Sequence, residues 1–210
     1  IINCDRKEFN YAYVNNYAAK RAGGSVFIFL NNDIELITPQ WIERMLEHVQ
    51  FKNIGAVGAK LYYPDESVQH AGVIVGVAGG AGHSHKYFSR TATGYFMRLK
   101  IIQYFSAVTG ACMMIRKDAF EKVKGFDESY KSAFNDVDLC LKLREKGYLI
   151  VWTPYAELYH FESKTRGYED TPEKIKRFQN EISIFVKKWK SFLEKGDPYY
   201  NPNLTLEKEV

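Results

Sequence analysis

The run Val26-Phe-Ile-Phe-Leu30, broken off by Asn31-Asn32-Asp33, constrains this chain more than any other segment. A short, wholly apolar run of β-branched and aromatic residues predicts a strand buried on both faces of a parallel sheet. The polar triplet then stands at the strand's carboxyl end, and in open α/β sheets ligands bind in the crevice beyond those ends. Asp33 is expected to point into that crevice. With Glu35 two residues on, its carboxylate suits a hard divalent cation, Mg²⁺ or Mn²⁺, that also grips a diphosphate. Asn and Asp are equally ordinary in solvated turns, so the triplet alone leaves both readings open.

The flanking segments extend the α/β pattern. Phe9, Ala12, Tyr13, Asn16, Tyr17 and Ala19 recur at helical spacing, with Gly23-Gly24 as a stop. Thr38 as N-cap and Pro39 at the first helical position predict a helix carrying Trp41, Ile42, Met45 and Val49 inward. Residues 54–62 read as a second buried strand, 107–115 as a third, 118–123 as a short helix and 125–128 as a turn. Residues 135–146 read as a helix capped by Asn135 and stopped by Gly147. Residues 149–152 and 157–160 look like two short strands around a turn at Thr153-Pro154. Residues 72–105, Gly-rich with His83-Ser84-His85 at the centre, read as a loop-rich insertion. From Pro172 to about Leu193, Ile175, Phe178, Ile182, Phe185, Val186, Trp189 and Leu193 mark one long amphipathic helix. Residues 1–170 thus form the main part, with a C-terminal helix and tail, residues 171–210, packed on it. No repeat or low-complexity segment interrupts the pattern.

Composition narrows the class of partner. With 210 residues, 46% hydrophobic and 26% charged, the chain can bury a core and is globular. The 29 basic residues against 25 acidic leave only +4, interleaved through most of the chain, so no nucleic acid is expected as a partner. Cys4, Cys112 and Cys140 fit neither a disulfide framework nor a Cys-x-x-Cys site and are read as reduced, hence cytoplasmic. No apolar stretch approaches the roughly 20 residues of a membrane span, and residues 1–5 have neither the basic start nor the apolar core of a signal peptide. The first residue, Ile1, leads to the expectation of a chain processed or cut from a longer one.

Three further sites could carry chemistry. In Asn135-Asp136-Val137-Asp138 a cap with acids at the positive end of a helix dipole explains the pattern, and so does a rigidly aimed general base. His160 could complete a metal site as a neutral imidazole, or be structural. His83 and His85 could share a metal or decorate a loop, and His70 reads as a satisfied polar residue near a strand.

The ordered set of motifs resembles the family 2 inverting glycosyltransferases of the GT-A fold, most closely their rhamnosyltransferase-like branch. The resemblance rests on Phe9-Asn10 with Asn15 ahead of Ala22-Gly23, Phe29-Leu30-Asn31-Asn32-Asp33, Gly55-Ala-Val-Gly-Ala-Lys60-Leu61-Tyr-Tyr-Pro64 and Val68-Gln-His-Ala-Gly72. It continues through Val108-Thr-Gly-Ala-Cys112-Met-Met-Ile-Arg116, Gly125-Phe-Asp-Glu128, Asn135-Asp-Val-Asp-Leu-Cys-Leu-Lys-Leu143, Pro154-Tyr-Ala156 with His160, and Gly196-Asp-Pro-Tyr-Tyr-Asn-Pro202. It covers nearly the whole chain.

The resemblance implies an α/β GT-A mixed sheet flanked by helices, incomplete at the N-terminus because the nucleotide-recognition half would lie upstream of Ile1. It implies transfer of a sugar, with inversion, from a nucleotide-diphosphate donor to a saccharide or lipid-linked saccharide acceptor in polysaccharide or cell-surface glycan synthesis. Asn31, Asn32 and Asp33 would line the donor site, Asp33 and His160 would hold Mg²⁺ or Mn²⁺, and Asp136 would be the base. Family members often have Glu-Asp where this chain has Asn135-Asp136, so the base is retained and a second carboxylate's role, such as orienting the acceptor, is not carried over by the resemblance. Residues 72–105 would cover the acceptor side, with Tyr87, Phe88, Tyr95 and Phe96 available to stack on sugar rings. A non-catalytic carbohydrate-binding or assembly module of the same fold is the alternative. The last helix, with Lys174, Lys176, Arg177, Lys187, Lys188 and Lys190 opposite its aromatic stripe, has two readings, peripheral contact with the inner face of the cell membrane and core packing of the stripe, and core packing is the favoured one.

Overall fold

The computed structural model describes residues 1–4, 8–162 and 171–207. Its centre is β3, Ile54–Tyr62, buried at all nine positions because helices cover both faces of the sheet. The main sheet runs in the order β1 (Val26–Leu30), β8 (Cys112–Arg116), β3, β9 (Leu149–His160), β2 (Ile34–Leu36). β4 (Val68–His70) also pairs with β3, and β7 (Gln103–Phe105) with β9. Only β3 with β9 is a parallel pairing among the described strands. On one face lies α2 (Trp41–Val49), packing Trp41, Met45 and Val49 against Val57, Leu61, Met114 and Leu158. On the other lie α1 (Tyr11–Ala19), α3 (Lys117–Lys122), α4 (Asn135–Glu145) and α5 (Pro172–Lys188), whose Ala12, Phe120, Leu139 and Phe185 meet Phe29, Met113, Ile150 and Trp152. The α/β class and helix-flanked mixed sheet are as expected.

Several local expectations are corrected. β1 is antiparallel to β8 and buried on one face alone, with Ile28 and Leu30 exposed, because α2 lies over β3, β9 and β8 and does not reach β1. Thr38 is not a cap. Helix α2 begins at Trp41, and Thr38 Oγ1 instead accepts from the Glu157 amide at 3.1 Å, tying the turn to β9. The cap of α4 is Phe134, in the left-handed region at φ 61°, so Asn135 is the first helical residue.

The two short strands expected around Thr153-Pro154 are one twelve-residue strand, β9. Its register against β3 steps from Gly58↔Trp152 to Lys60↔Glu157, and Pro154 falls in that bulge, where its missing N–H breaks no ladder. The long C-terminal helix breaks at Trp189 into α5 and α6 (Lys190–Lys195). There the indole Nε1 donates to buried Asp138 Oδ1 at 2.9 Å, and Lys188 Nζ lies 2.7 Å from the same oxygen. Phe185 and Trp189 are buried and Lys188 is paired inward, so this part of the stripe is core, not a membrane-facing surface. Within residues 72–105 the chain forms a small hairpin, β5 (Val73–Val75) with β6 (Ala81–His83), and then β7. The tail is fastened to it: Asp197 accepts from the Val75 amide at 2.8 Å and from Ser106 Oγ at 2.7 Å. All three cysteines are free, and no described helix is long and apolar enough to cross a membrane.

Candidate active site

Four chain segments meet in a cleft of about 400 Å³: Asn31, Asn32 and Asp33 after β1, Thr109, Gly110 and Ala111 before β8, Ser132, Asn135 and Asp136 at the start of α4, and His160 and Glu162 at the end of β9. Tyr11 and Phe9 close the remaining side. The expected third strand is shortened for this purpose. Ala107 bridges to Val73, residues 109–111 line the cleft, and β8 starts only at Cys112. A Cβ at Gly110 would stand 2.8 Å from Tyr11 Oη, which would have to give way.

Asp136 is held by that turn. Its Oδ2 accepts from the Gly110 amide at 2.8 Å and its Oδ1 from its own helix at Val137 N, 2.9 Å. The loop before it is ordered from below by Glu181 of α5, a carboxylate only 1% exposed. Glu181 accepts from the Lys131 amide at 2.8 Å, Ser132 at 3.3 Å and Ala133 at 2.7 Å. Asn135, expected as cap, spends its amide on the Ser132 carbonyl at 2.9 Å instead.

Across the cleft, His160 Nδ1 lies 2.7 Å from Gln69 Oε1, while Gln69 Nε2 donates to the His160 carbonyl and to Glu162 Oε2, each at 3.3 Å. Those amide donations orient Gln69 so that Oε1 is the acceptor, which places the imidazole proton on Nδ1 and leaves Nε2 as the lone-pair nitrogen. Asn31 Nδ2 is 3.1 Å from Nε2, and Asp33 Oδ1 is 3.2 Å from it. Asp33 Oδ1 is buried and takes no hydrogen bond from any described residue. An orphaned carboxylate oxygen beside an imidazole nitrogen fits a cation that takes Nε2 in place of the Asn31 amide, and 3.2 Å suits two neighbouring ligands of one octahedral ion with bonds of about 2.1 Å. Two protein ligands suffice for an ion that completes its shell with substrate phosphate and water. No cluster of three or more His, Cys, Asp or Glu occurs among the described residues.

The remaining candidates separate. Glu35 lies exposed on β2 opposite Tyr159, outside the cleft lining. His70 is fully buried, its Nδ1 2.9 Å from His83 Nδ1, and its Nε2 accepts from the Thr109 amide at 3.4 Å, so it supports the cleft from behind. Burial, with the neighbouring charge of His83 added, holds its pKa well below the usual histidine value. His85 pairs with Ser84 Oγ at 2.7 Å and accepts from the Tyr95 amide at 3.3 Å, and burial lowers it to about 4. Phe88 packs on His85, and Tyr95 and Phe96 stand apart from the cleft lining. Tyr87 stacks on Tyr63 at 5.4 Å, and Tyr63 Oη donates to Glu162 at 3.4 Å on the cleft rim.

Gln69, Glu162, Gly110, Ser132 and Glu181 are site or supporting residues that the sequence reading passed over. Glu181 carried a signal. It falls between Phe178 and Ile182 on the apolar stripe of α5, where a lone carboxylate must have buried partners.

Comparison with known proteins agrees with this architecture. Residues 36–192 match the family described as glycosyl transferase family group 2. Over 205 residues, 97% of its length, the chain is 49% identical to the y4gI protein of Sinorhizobium fredii, of which it covers 22%. Over 203 residues, 94% of its length, it is 39% identical to the O-antigen biosynthesis protein RfbC of Myxococcus xanthus, of which it covers 15%. The chain therefore spans less than a quarter of either relative. A shorter match, 40% identical over 60 residues, 29% of this chain and 20% of the relative, is to the N-acetylglucosaminyl-diphospho-decaprenol L-rhamnosyltransferase of Mycobacterium tuberculosis. Among solved structures, the mannosyltransferase PcManGT of Pyrobaculum calidifontis, in complex with GDP-Man and Mn²⁺, superposes with a TM-score of 0.57 at 15% identity, covering 90% of this chain and 46% of that one. GalNAc-T7, with UDP, GalNAc and Mn²⁺, gives 0.60 at 12% identity, covering 91% and 37%. With its family match running from β2 through α6 and its sheet shared with these enzymes, the chain belongs to glycosyl transferase family group 2 and has the GT-A fold.

Proposed function

We propose that this chain carries the metal, base and acceptor-facing part of a glycosyltransferase that moves a sugar from a nucleotide-diphosphate donor to a saccharide acceptor with inversion. The observation that carries the reading is the meeting of Asp33 with His160 and of Asp136 with Gly110 in a single cleft, from segments that are distant in sequence. Asp33 and His160 would hold Mg²⁺ or Mn²⁺, which supplies Lewis-acid charge at the leaving diphosphate. Asn31 would contact the donor sugar from the same turn. Asp136 takes the proton of the acceptor hydroxyl as its oxygen attacks the anomeric carbon from the face opposite the diphosphate. The C–O bond to the acceptor forms as the C–O bond to the phosphate breaks, in one displacement, which inverts the centre. The Gly110 amide and the helix start fix the carboxylate, and placement of this kind supplies much of the acceleration for a weak hydroxyl nucleophile. The GDP-Man bound to one structure of the same fold and the UDP and GalNAc bound to another support the donor class, and the O-antigen and rhamnosyltransferase relatives support a bacterial glycan, with rhamnose as a candidate sugar.

The test is the melting temperature of the chain with Mn²⁺ and, in turn, uridine, thymidine and guanosine diphosphate, beside Asp33→Ala. A ligand that binds only the folded state raises the transition, by about 2.7 kcal/mol of stability at a hundredfold excess over Kd. A metal-dependent rise with one nucleotide, lost in Asp33→Ala, is expected. A rise that Asp33→Ala leaves intact would remove the metal role from Asp33, and no rise with any pair would remove donor binding from this chain.

A further inference from the structure

The proposed cation site depends on which nitrogen of His160 carries the proton, and two neighbours pull that proton opposite ways. Asp33 Oδ1, 3.2 Å from Nε2, is buried and takes no hydrogen bond from any described residue. A neutral imidazole beside such a carboxylate puts its proton on Nε2 and donates it to the oxygen, because hydrogen bonds to an ionised acceptor are among the strongest. That arrangement spends both groups on each other. Asn31 does not oppose it, since its amide can present Nδ2 to a lone pair or, turned over, Oδ1 to a proton.

The opposing pull comes from Gln69, and the sheet is bent to supply it. Along β4 the register against β3 steps from Leu61↔His70 to Tyr62↔Val68, which leaves Gln69 with no partner of its own on β3. This is a β-bulge, a device that re-aims one side chain out of the strand's alternation. β9 flanks the same two residues of β3 with Leu158 and Tyr159, and the bulged Gln69 meets His160, one residue further on. Gln69 is only 4% exposed. Its amide is fixed one way round, because Nε2 donates to the His160 carbonyl and to Glu162 Oε2, and Oε1 is thereby turned to Nδ1 at 2.7 Å.

We propose that Gln69 is the positioning residue of this site: it holds His160 in the Nδ1–H form against the pull of Asp33, and so keeps Nε2 and Asp33 Oδ1 together for a divalent cation. The proposal rests on the reading of Asp33 and His160 as cation ligands. A ligating histidine gives its second ring N–H to a partner of this kind, and loss of that partner costs about 10- to 100-fold in metal affinity. Gln69 does more than brace the ring. Without its acceptor oxygen the Nδ1 proton would face a buried side chain that cannot take it, while Nε2–H would find Asp33 at once. The bulge in β4 therefore decides whether two cleft residues ligate a cation or pair with each other.

The test is ¹⁵N nuclear magnetic resonance of the full 210-residue chain labelled at histidine, at about pH 8, above the ordinary imidazole pKa of about 6.5. The His160 ring is assigned by its absence from His160→Asn. Without metal, the wild type is expected to show Nδ1 as the protonated nitrogen and Nε2 as the unprotonated one. Gln69→Met, which keeps the bulk and removes the acceptor, is expected to exchange the two shifts as Nε2–H turns to Asp33. Mn²⁺ is then titrated into each sample, and paramagnetic loss of the His160 signal is expected to need about tenfold more Mn²⁺, or higher, in the variant. Should Gln69→Met melt early, Gln69→Asn, whose amide falls one methylene short of the ring, replaces it with the same expectations. A wild-type ring protonated at Nε2 and still broadened by Mn²⁺ overturns the proposal and leaves the cation reading standing. So does a folded variant that keeps the wild-type tautomer or the wild-type Mn²⁺ response. A wild-type ring that Mn²⁺ does not broaden overturns instead the assignment of Asp33 and His160 to a cation, and the proposal with it.

Discussion

Glu181 shows how much of the cleft is decided by single residues that never touch it. One carboxylate accepts from three successive, partly buried loop amides, and the loop then delivers Ser132, Asn135 and Asp136 to the cleft. Glu181→Ala is expected to cost about 3 kcal/mol in denaturant unfolding, and Glu181→Gln, which keeps an acceptor oxygen, about 1 kcal/mol. Asp136→Asn keeps an oxygen for Gly110 but cannot take a proton. Release of nucleoside diphosphate by acceptor-dependent transfer is expected to fall 10²- to 10⁴-fold, about the range a general base supplies, while any nucleotide-induced melting shift persists. His85 gives a pH signature. Its folded pKa of about 4 lies below the unfolded value of 6.5, so the unfolded chain takes up a proton that the folded chain refuses. Stability is therefore full above pH 6.5 and falls as pH drops toward 4, by about 3 kcal/mol from this group, with His70 acting in the same direction. Unfolding at pH 7 and pH 4.5 checks the sign. At this scale Asn31, Asp33, Asp136 and His160 were legible in sequence as candidates through the order of the motifs that carry them, since Asn-Asp turns and helix-start acids are by themselves ordinary turn and capping residues. Gln69 was not. Its value lies in facing His160 across strands, which no local pattern encodes.

At the scale of elements, the legible parts were those whose period and caps agree with their packing. α1, α3 and the start of α5 stand close to where spacing put them, and β3 is the doubly buried strand the sequence predicts, with Lys60 buried inside it. β1 has the same look but not the same burial, since a run such as Val26-Phe-Ile-Phe-Leu30 reports only that both faces tolerate apolar side chains. Which face a helix covers is settled by α2 elsewhere in the chain. Residues 107–111 look like strand for the same reason, and only Gly110 betrays the turn. The break at Trp189 was illegible because apolar spacing continues through it, while the contact made there, a hydrogen bond to buried Asp138, is tertiary. Trp189→Phe keeps the ring and removes that bond. It is expected to lower unfolding stability by about 1.5 kcal/mol with helical circular dichroism preserved.

Over the whole molecule, the two cores on either face of one sheet make burial a uniform reporter. Cys112 and Cys140 are enclosed, and burial pushes both thiols up to about 12, whereas Cys4 is partly exposed. An aromatic disulfide reagent is expected to titrate one thiol in the native chain and three in denaturant; a count of three without denaturant would contradict this packing. The class, the helix-flanked sheet and the family could be read from motif order. The mixed strand directions could not, since direction follows from how segments far apart return to the sheet.

β9 joins these levels. It enters at Leu149, carries Ile150 and Trp152 through the core, anchors the Thr38 turn at Glu157 and ends at His160 in the cleft. Its bulge between Trp152 and Glu157 faces only Gly58 to Lys60, so it runs beside the nine-residue β3 for about 30 Å at about 3.3 Å per residue, and a paired strand neither stretches nor slides without breaking its ladder. Core and cleft are therefore one mechanical piece. A calorimetric scan of this chain should show the loss of ligand response and the main heat-absorption peak at the same temperature, with no earlier softening of the cleft to give warning.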